Sequence, residues 1–237
     1  MGGGVIIKPV LDLIGAHSVS AISFYSTVAV FTMSISSTMK QRKSGQVFEW
    51  VTISWISIGA VLGGIFGNYT FERLLRFFNE DSQVTKIQIC LTVVTLLFTF
   101  LYSRFNWRSF HFNSPLVYFG CGGLLGFLAS LLGIGGGPIN VSVLMLLFSF
   151  PIKKATSYSI CTIFFSQLAK LITIAFGSGF LAYDLSMLFF IIPAAILGGL
   201  IGAKLSTVLP SKRVTLIFQS VLLLVLGINL FNFIQLF

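Results

Sequence analysis

The chain has 237 residues, of which 56% are hydrophobic and only 9% charged. An average soluble domain is about 25% charged, and the 15 basic and 6 acidic residues here cannot clothe the exterior of a water-soluble globule. The hydrophobicity equally excludes a disordered chain, so most of this protein's solvent is lipid. The net charge of +9 does not point to nucleic acid. Its basic residues fall in short groups between apolar runs, as cytoplasmic loops of membrane proteins do.

In chain order, apolar runs cover 5–16, 19–39, 47–69, 84–102, 115–133, 137–150, 155–176, 185–207 and 213–236. A hydrocarbon core about 30 Å thick needs about 20 residues per helix. Seven runs are long enough, which predicts an all-α, polytopic integral membrane protein. Runs 5–16 and 137–150 are short, and each follows a triple glycine. No signal-peptide pattern precedes the first run, and Ile6 breaks the myristoylation pattern. If 115–150 forms a hairpin, ten basic residues fall on one side: Lys40, Arg42, Lys43, Arg104, Arg108, Lys153, Lys154, Lys204, Lys212 and Arg213. The other side receives three, Arg73, Arg76 and Lys86. The positive-inside rule makes the first side cytoplasmic and leaves the C-terminus outside.

The chain also repeats itself. Gly2-Gly3-Gly4-Val5-Ile6 matches Gly135-Gly136-Gly137-Pro138-Ile139, and Ala21-Ile22-Ser23-Phe24 matches Ala155-Thr156-Ser157-Tyr158. Gly63-Gly64 and Gly67 match Gly198-Gly199 and Gly202, and Val84-Thr85 matches Val214-Thr215. The predicted repeats, 1–110 and 111–237, have opposite orientations in the membrane, because the loop at 40–46 and its counterpart at 177–184 fall on opposite sides. Inverted repeats with broken helices are an architecture of secondary transporters, whose substrate site lies near the midplane. A duplicated membrane scaffold, or a subunit of a larger complex, is the alternative. The alignment also expects a crossing before Gly2 that matches 115–133, encoded upstream of Met1, and a helix-sized groove beside 5–16.

The candidate substrate-binding residues cluster around the glycine turns. Gly135, Gly136 and Gly137 break a helix, and Pro138 suits the first position of the next. Free N–H groups there form a ready anion site, and Gly2, Gly3 and Gly4 offer the same in the other half. A tight turn between packed helices would use the same glycines. Ser23 and Thr27 in the first half, with Asn140, Ser157, Ser166 and Gln167 in the second, are small polar groups within apolar runs. They read as a cavity lining or as interhelical hydrogen bonds. Lys170 stands one turn after Ser166 in an apolar helix. It is either a partner for an anion or a lysine that snorkels to the interface. Lys8 has Asp12 at i+4, the spacing of an intrahelical ion pair. The GxxxG spacings Gly59/Gly63, Gly63/Gly67, Gly122/Gly126 and Gly198/Gly202 read as close helix packing. The sequence carries no metal-ligand cluster, cofactor motif or catalytic spacing, which predicts no cofactor, no metal and no enzyme.

Gly133-Ile134-Gly135-Gly136-Gly137, the following Ala155-Thr156-Ser157-Tyr158-Ser159 and Phe165-Ser166, and Leu197-Gly198-Gly199-Leu200-Ile201-Gly202-Ala203 resemble the TauE/SafE family of membrane transporters. The resemblance runs over nearly the whole chain. It implies two repeats and export of a small anion, such as sulfite, sulfoacetate or a related organosulfur or carboxylate anion, through the plasma membrane. The expected partners are that anion and the lipid bilayer, with a homo-oligomer allowed.

Overall fold

The computed structural model describes residues 3–43, 49–78, 80–105, 107–177 and 179–235. Among these, the chain forms helices α1 (Gly3–Ile14), α2 (Val19–Lys43), α3 (Trp50–Phe77), α4 (Asp81–Phe105), α5 (Pro115–Leu132), α6 (Gly137–Phe148), α7 (Ile152–Phe176), α8 (Leu188–Val208) and α9 (Ser211–Gln235), and no strand. Seven are long and apolar enough to cross a membrane. The two short ones, α1 and α6, have 12 residues each. At 1.5 Å per residue each reaches about 18 Å, little more than half the hydrocarbon thickness.

Local chemistry sets these boundaries. Pro115 occupies the first turn of α5, where its missing N–H costs nothing. Gly133 ends α5 in the left-handed region at φ 66°, where a side chain would be strained. Gly135 and Gly136 repeat that conformation at 69° and 68°, so the chain reverses within four residues and enters α6. The α6–α7 connection turns at Ser149, a non-glycine residue at φ 52°. Pro151, which cannot continue a helix inward from α6, precedes α7.

The interior mixes many small polar side chains into its apolar core. On α2, Ser23, Ser26, Thr27, Ser34, Ser36 and Ser37 are buried, whereas Phe189, Phe190, Leu197 and Leu216 on α8 and α9 are exposed. Lipid tails are as apolar as leucine, so helices sort by smallness and hydrogen bonding instead of by hydrophobicity. The tightest seam joins α3 to α5, which run in the same direction. A Cβ on Gly63 would lie 2.0 Å from the Gly123 carbonyl oxygen, and one on Gly122 would lie 2.0 Å from that of Ile56. The predicted GxxxG packing therefore holds for Gly59, Gly63, Gly67, Gly122 and Gly126. It fails at Gly198, which has nothing within 4 Å; its neighbour Gly199 is the residue that packs, against Ser36 and Met33 of α2.

Around this seam, α2 packs on α7 and α8, α7 on α3, α1 on α2 and α9, α6 on α7 and α4, and α4 on α9. At one end of the bundle Lys154 meets Glu49 and Lys153 donates to the Thr207 carbonyl. At the other, the Val19 N–H meets Asp81 and the Tyr25 hydroxyl donates to the Asp184 carbonyl. A cavity of about 490 Å3 lies beside α1, between Ile6, Ile7 and Leu11, Tyr25 and Ala29 of α2, and Ala194 and Gly198 of α8.

Candidate functional site

Lys170 is 1% exposed, although its Cα is only six residues from the end of α7. It does not snorkel. Its ammonium donates to Ser23 Oγ at 2.8 Å and to the Ser130 carbonyl at 2.9 Å, and sits 5.2 Å from the centroid of the Phe71 ring. These partners come from α2, α5 and α3, so four helices converge on one cation. All three are neutral. The ion pairs seen among the described residues are Lys8–Asp12 and Lys154–Glu49, and neither includes Lys170. An ammonium near a helix centre costs about 2.5–3.5 kcal/mol on insertion scales. Hydrogen bonds from a charged donor return about 1.5–3 kcal/mol each. The site can therefore hold the charge without pairing it directly with a carboxylate.

A cavity of about 390 Å3 opens onto this lysine from the end of the bundle that carries Asp81. Its walls are Ser20, Ser23 and Phe24 of α2, Asn68, Phe71, Glu72 and Arg76 of α3, and Lys170 and Ile174 of α7, with Gly177 and Tyr183 at the rim. Glu72 accepts from Asn68 Nδ2 at 2.9 Å. At its opposite end the same α3–α7 seam is fastened. Lys154 Nζ lies 2.6 Å from Glu49 Oε1, and the Glu49 N–H donates to the Tyr158 hydroxyl at 3.1 Å. The hydrogen bond from Lys154 holds the Glu49 carboxyl below the usual range for a glutamate.

The glycine turn meets this site from the side. A Cβ on Gly133 would fall 2.9 Å from Ser23 Oγ and 3.5 Å from Lys8 Cδ, and one on Gly135 would fall 2.6 Å from Val30 Cγ1. Gly133 thus lies against Lys8 and against Ser23, the serine to which Lys170 donates. Lys8 is satisfied by Asp12 at 2.9 Å, as its i,i+4 spacing predicts.

The other expected residues distribute unevenly. Thr27 bonds the Ser23 carbonyl, Ser157 that of Lys153, and Ser166 that of Ile163. Each hydroxyl is satisfied by its own helix, not across helices. Gln167 Nε2 reaches Ser166 Oγ at 3.4 Å. Asn140 is fully buried, and neither its Oδ1 nor its Nδ2 has a partner among the described residues. It folds back over the start of α6, close to Gly136, but does not line the cavity. Gly137 opens α6; Gly3 and Gly4 are the first residues of α1, and Gly2 lies outside the described residues.

Most of the cavity wall escaped the sequence reading, Asn68, Phe71, Glu72 and Arg76 above all, and so did Ser130. The apolar run ends at 69, whereas α3 continues to Phe77. Asn68, Glu72 and Arg76 recur every four residues, a legible polar stripe on one helix face. Ser130 contributes a backbone carbonyl, which no residue type announces.

The family model described as "Sulfite exporter TauE/SafE" matches residues 1–230. "Probable membrane transporter protein YunE" of Bacillus subtilis (strain 168) is 35% identical over 103 residues, 43% of this chain and 36% of that protein. "Sulfite exporter TauE/SafE family protein 5" of Arabidopsis thaliana is 34% identical over 101 residues, 40% of this chain and 22% of that protein. The matched stretches thus span well under two thirds of either relative. No solved structure matches.

Proposed function

The chain belongs to the sulfite exporter TauE/SafE family of membrane transporters, and from that premise we propose that it is a secondary exporter of a small anion, sulfite or a related organosulfur or organic anion, across the plasma membrane. The observation that carries the proposal is Lys170, a buried ammonium with only neutral partners at the floor of an open cavity. An anion 4 Å from it would gain about 4 kcal/mol at an effective dielectric constant near 20. That is enough to concentrate a dilute substrate without holding it irreversibly. Ser23 and the glycine turn at Gly133 bring neutral donors and close backbone approach to the same point.

Two repeats, 1–110 and 111–237, inverted in the membrane, account for the packing. Exchanging α1 with α6, α2 with α7, α3 with α8 and α4 with α9 carries α2–α8 onto α7–α3, α1–α2 onto α6–α7, and α1–α9 onto α6–α4. Lys170 lies where α2 and α7, the exchanged pair, meet. With the Lys153–Lys154 end in the cytoplasm, the cavity faces outward and the Glu49–Lys154 pair closes the inner end. Rocking of one half against the other would then expose Lys170 alternately, the behaviour expected of inverted repeats.

The test is flux of sulfite, thiosulfate, sulfoacetate and simple carboxylates from proteoliposomes containing the chain. Lys170→Met should cut anion flux at least tenfold while the protein still inserts and purifies as a folded species. Normal flux in Lys170→Met would remove the lysine from the substrate path. Absence of flux for every anion in the unmodified protein would favour the scaffold.

A further inference from the structure

Glu72 is out of place in a cavity built to attract anions. It follows Phe71, the residue whose ring faces Lys170, and lines the same cavity as Lys170 and Arg76. Glutamate four residues ahead of arginine on a helix normally forms an ion pair. Here no Glu72–Arg76 pair within 4.0 Å is found. Glu72 is instead oriented by the Asn68 amide, which donates to Oε1. Oε2 has no such bond among the described residues. The cavity wall therefore holds two cations, one acceptor-only carboxylate and a net single positive charge. The nearby Lys8–Asp12 pair adds no net charge.

We infer that Glu72 makes the cavity selective for a monoanion that retains an acidic proton, such as hydrogensulfite, over a fully deprotonated dianion such as sulfate. This rests on the transport reading of the same cavity. A carboxylate accepts a hydrogen bond from a protonated oxyanion, whose remaining oxygens face Lys170 and Arg76. A dianion presents only acceptor oxygens to Glu72. It meets like-charge repulsion and an unmet acceptor in a confined, partly desolvated space. The device combines attraction by the lysine with repulsion by the glutamate, and it sets the protonation state of the substrate more than its size. Methanesulfonate, a monoanion without an acidic proton, should rank between the two.

The experiment measures binding and flux separately on the full chain. Binding of hydrogensulfite, presented at mildly acidic pH, and of methanesulfonate and sulfate is read by titration calorimetry on purified protein; flux of the same anions is read in proteoliposomes. Unmodified protein should bind hydrogensulfite at least tenfold more tightly than sulfate. Glu72→Gln offers an amide donor in place of the carboxylate and should reduce that ratio about tenfold, mainly by improving sulfate. Glu72→Asp keeps the charge and should keep the ranking. Melting temperatures of both variants confirm that folding is intact. Equal binding of sulfate and hydrogensulfite by the unmodified protein, or an unchanged ratio in Glu72→Gln, overturns the inference. Selective binding without flux would support it while defeating the transport reading.

Discussion

Lys170 and Glu49 mark the two ends of the α3–α7 seam, and their environments demand different tests. Replacing Lys170 with arginine keeps the charge but puts a planar fork where a compact ammonium fits between Ser23 and Ser130. Lys170→Arg should therefore bind anions and transport them several-fold more slowly than the unmodified protein, which flux assays at fixed substrate would detect. Glu49 is more than half exposed and Lys154 is 32% exposed, so their pair contributes at most about 1 kcal/mol. Because the folded-state pKa of Glu49 is lowered, the pair's contribution is present at neutral pH. It is lost as pH falls through that lowered value, below the ordinary carboxylate range. A cysteine at Ser157, in protein lacking the native cysteines, should be labelled slowly from the Lys154 end at neutral pH. In Glu49→Gln it should be reactive already at neutral pH. Unchanged labelling in Glu49→Gln would show that Tyr158 and the helix packing close this end without the ion pair.

At the scale of elements, two glycine ladders of the same spacing behave oppositely. Gly63 faces the Gly123 backbone, so a methyl group there has no room, and backbone atoms cannot swing away as a side-chain tip can. Gly63→Ala should destabilise the protein by about 1–3 kcal/mol, the usual cost of overpacking. At Gly198 nothing lies within 4 Å, and alanine is the better helix former. Gly198→Ala should leave the melting temperature in detergent unchanged or raised. Thermal unfolding of the pair side by side checks this, and equal loss in both would show that α8 is covered in the intact protein. The short helices α1 and α6 carry the same logic: their length was readable from the runs 5–16 and 137–150, but the approach of Gly133 to Ser23 and Lys8 was not.

For the whole molecule, orientation follows from charge. With Lys43→Cys on one end and Ser82→Cys on the other, a membrane-impermeant thiol reagent added to intact cells should label only the second. Gln41, close in sequence to Lys43, is buried and would make a misleading probe. Labelling of Lys43→Cys from outside would reverse the orientation and put the cavity on the cytoplasmic face.

The sequence by itself determined that this is a helical membrane protein. Among the described residues it also located nine helices to within a few residues, the end of α3 excepted, and bilayer thickness imposes on seven of them a length that any reader can count. It singled out Lys170, because an ionisable residue in an apolar run is conspicuous. Only the tertiary structure decided what Lys170 touches. Its partners are a serine from α2, a carbonyl from α5 and a ring from α3, and no spacing along one helix encodes the face that a distant helix presents to it. Likewise, serines and threonines that look alike in sequence divide in the fold. Ser23 reaches the lysine, whereas Thr27, Ser157 and Ser166 turn back to their own backbones, since in lipid the nearest unshared carbonyl oxygen is the cheapest partner available.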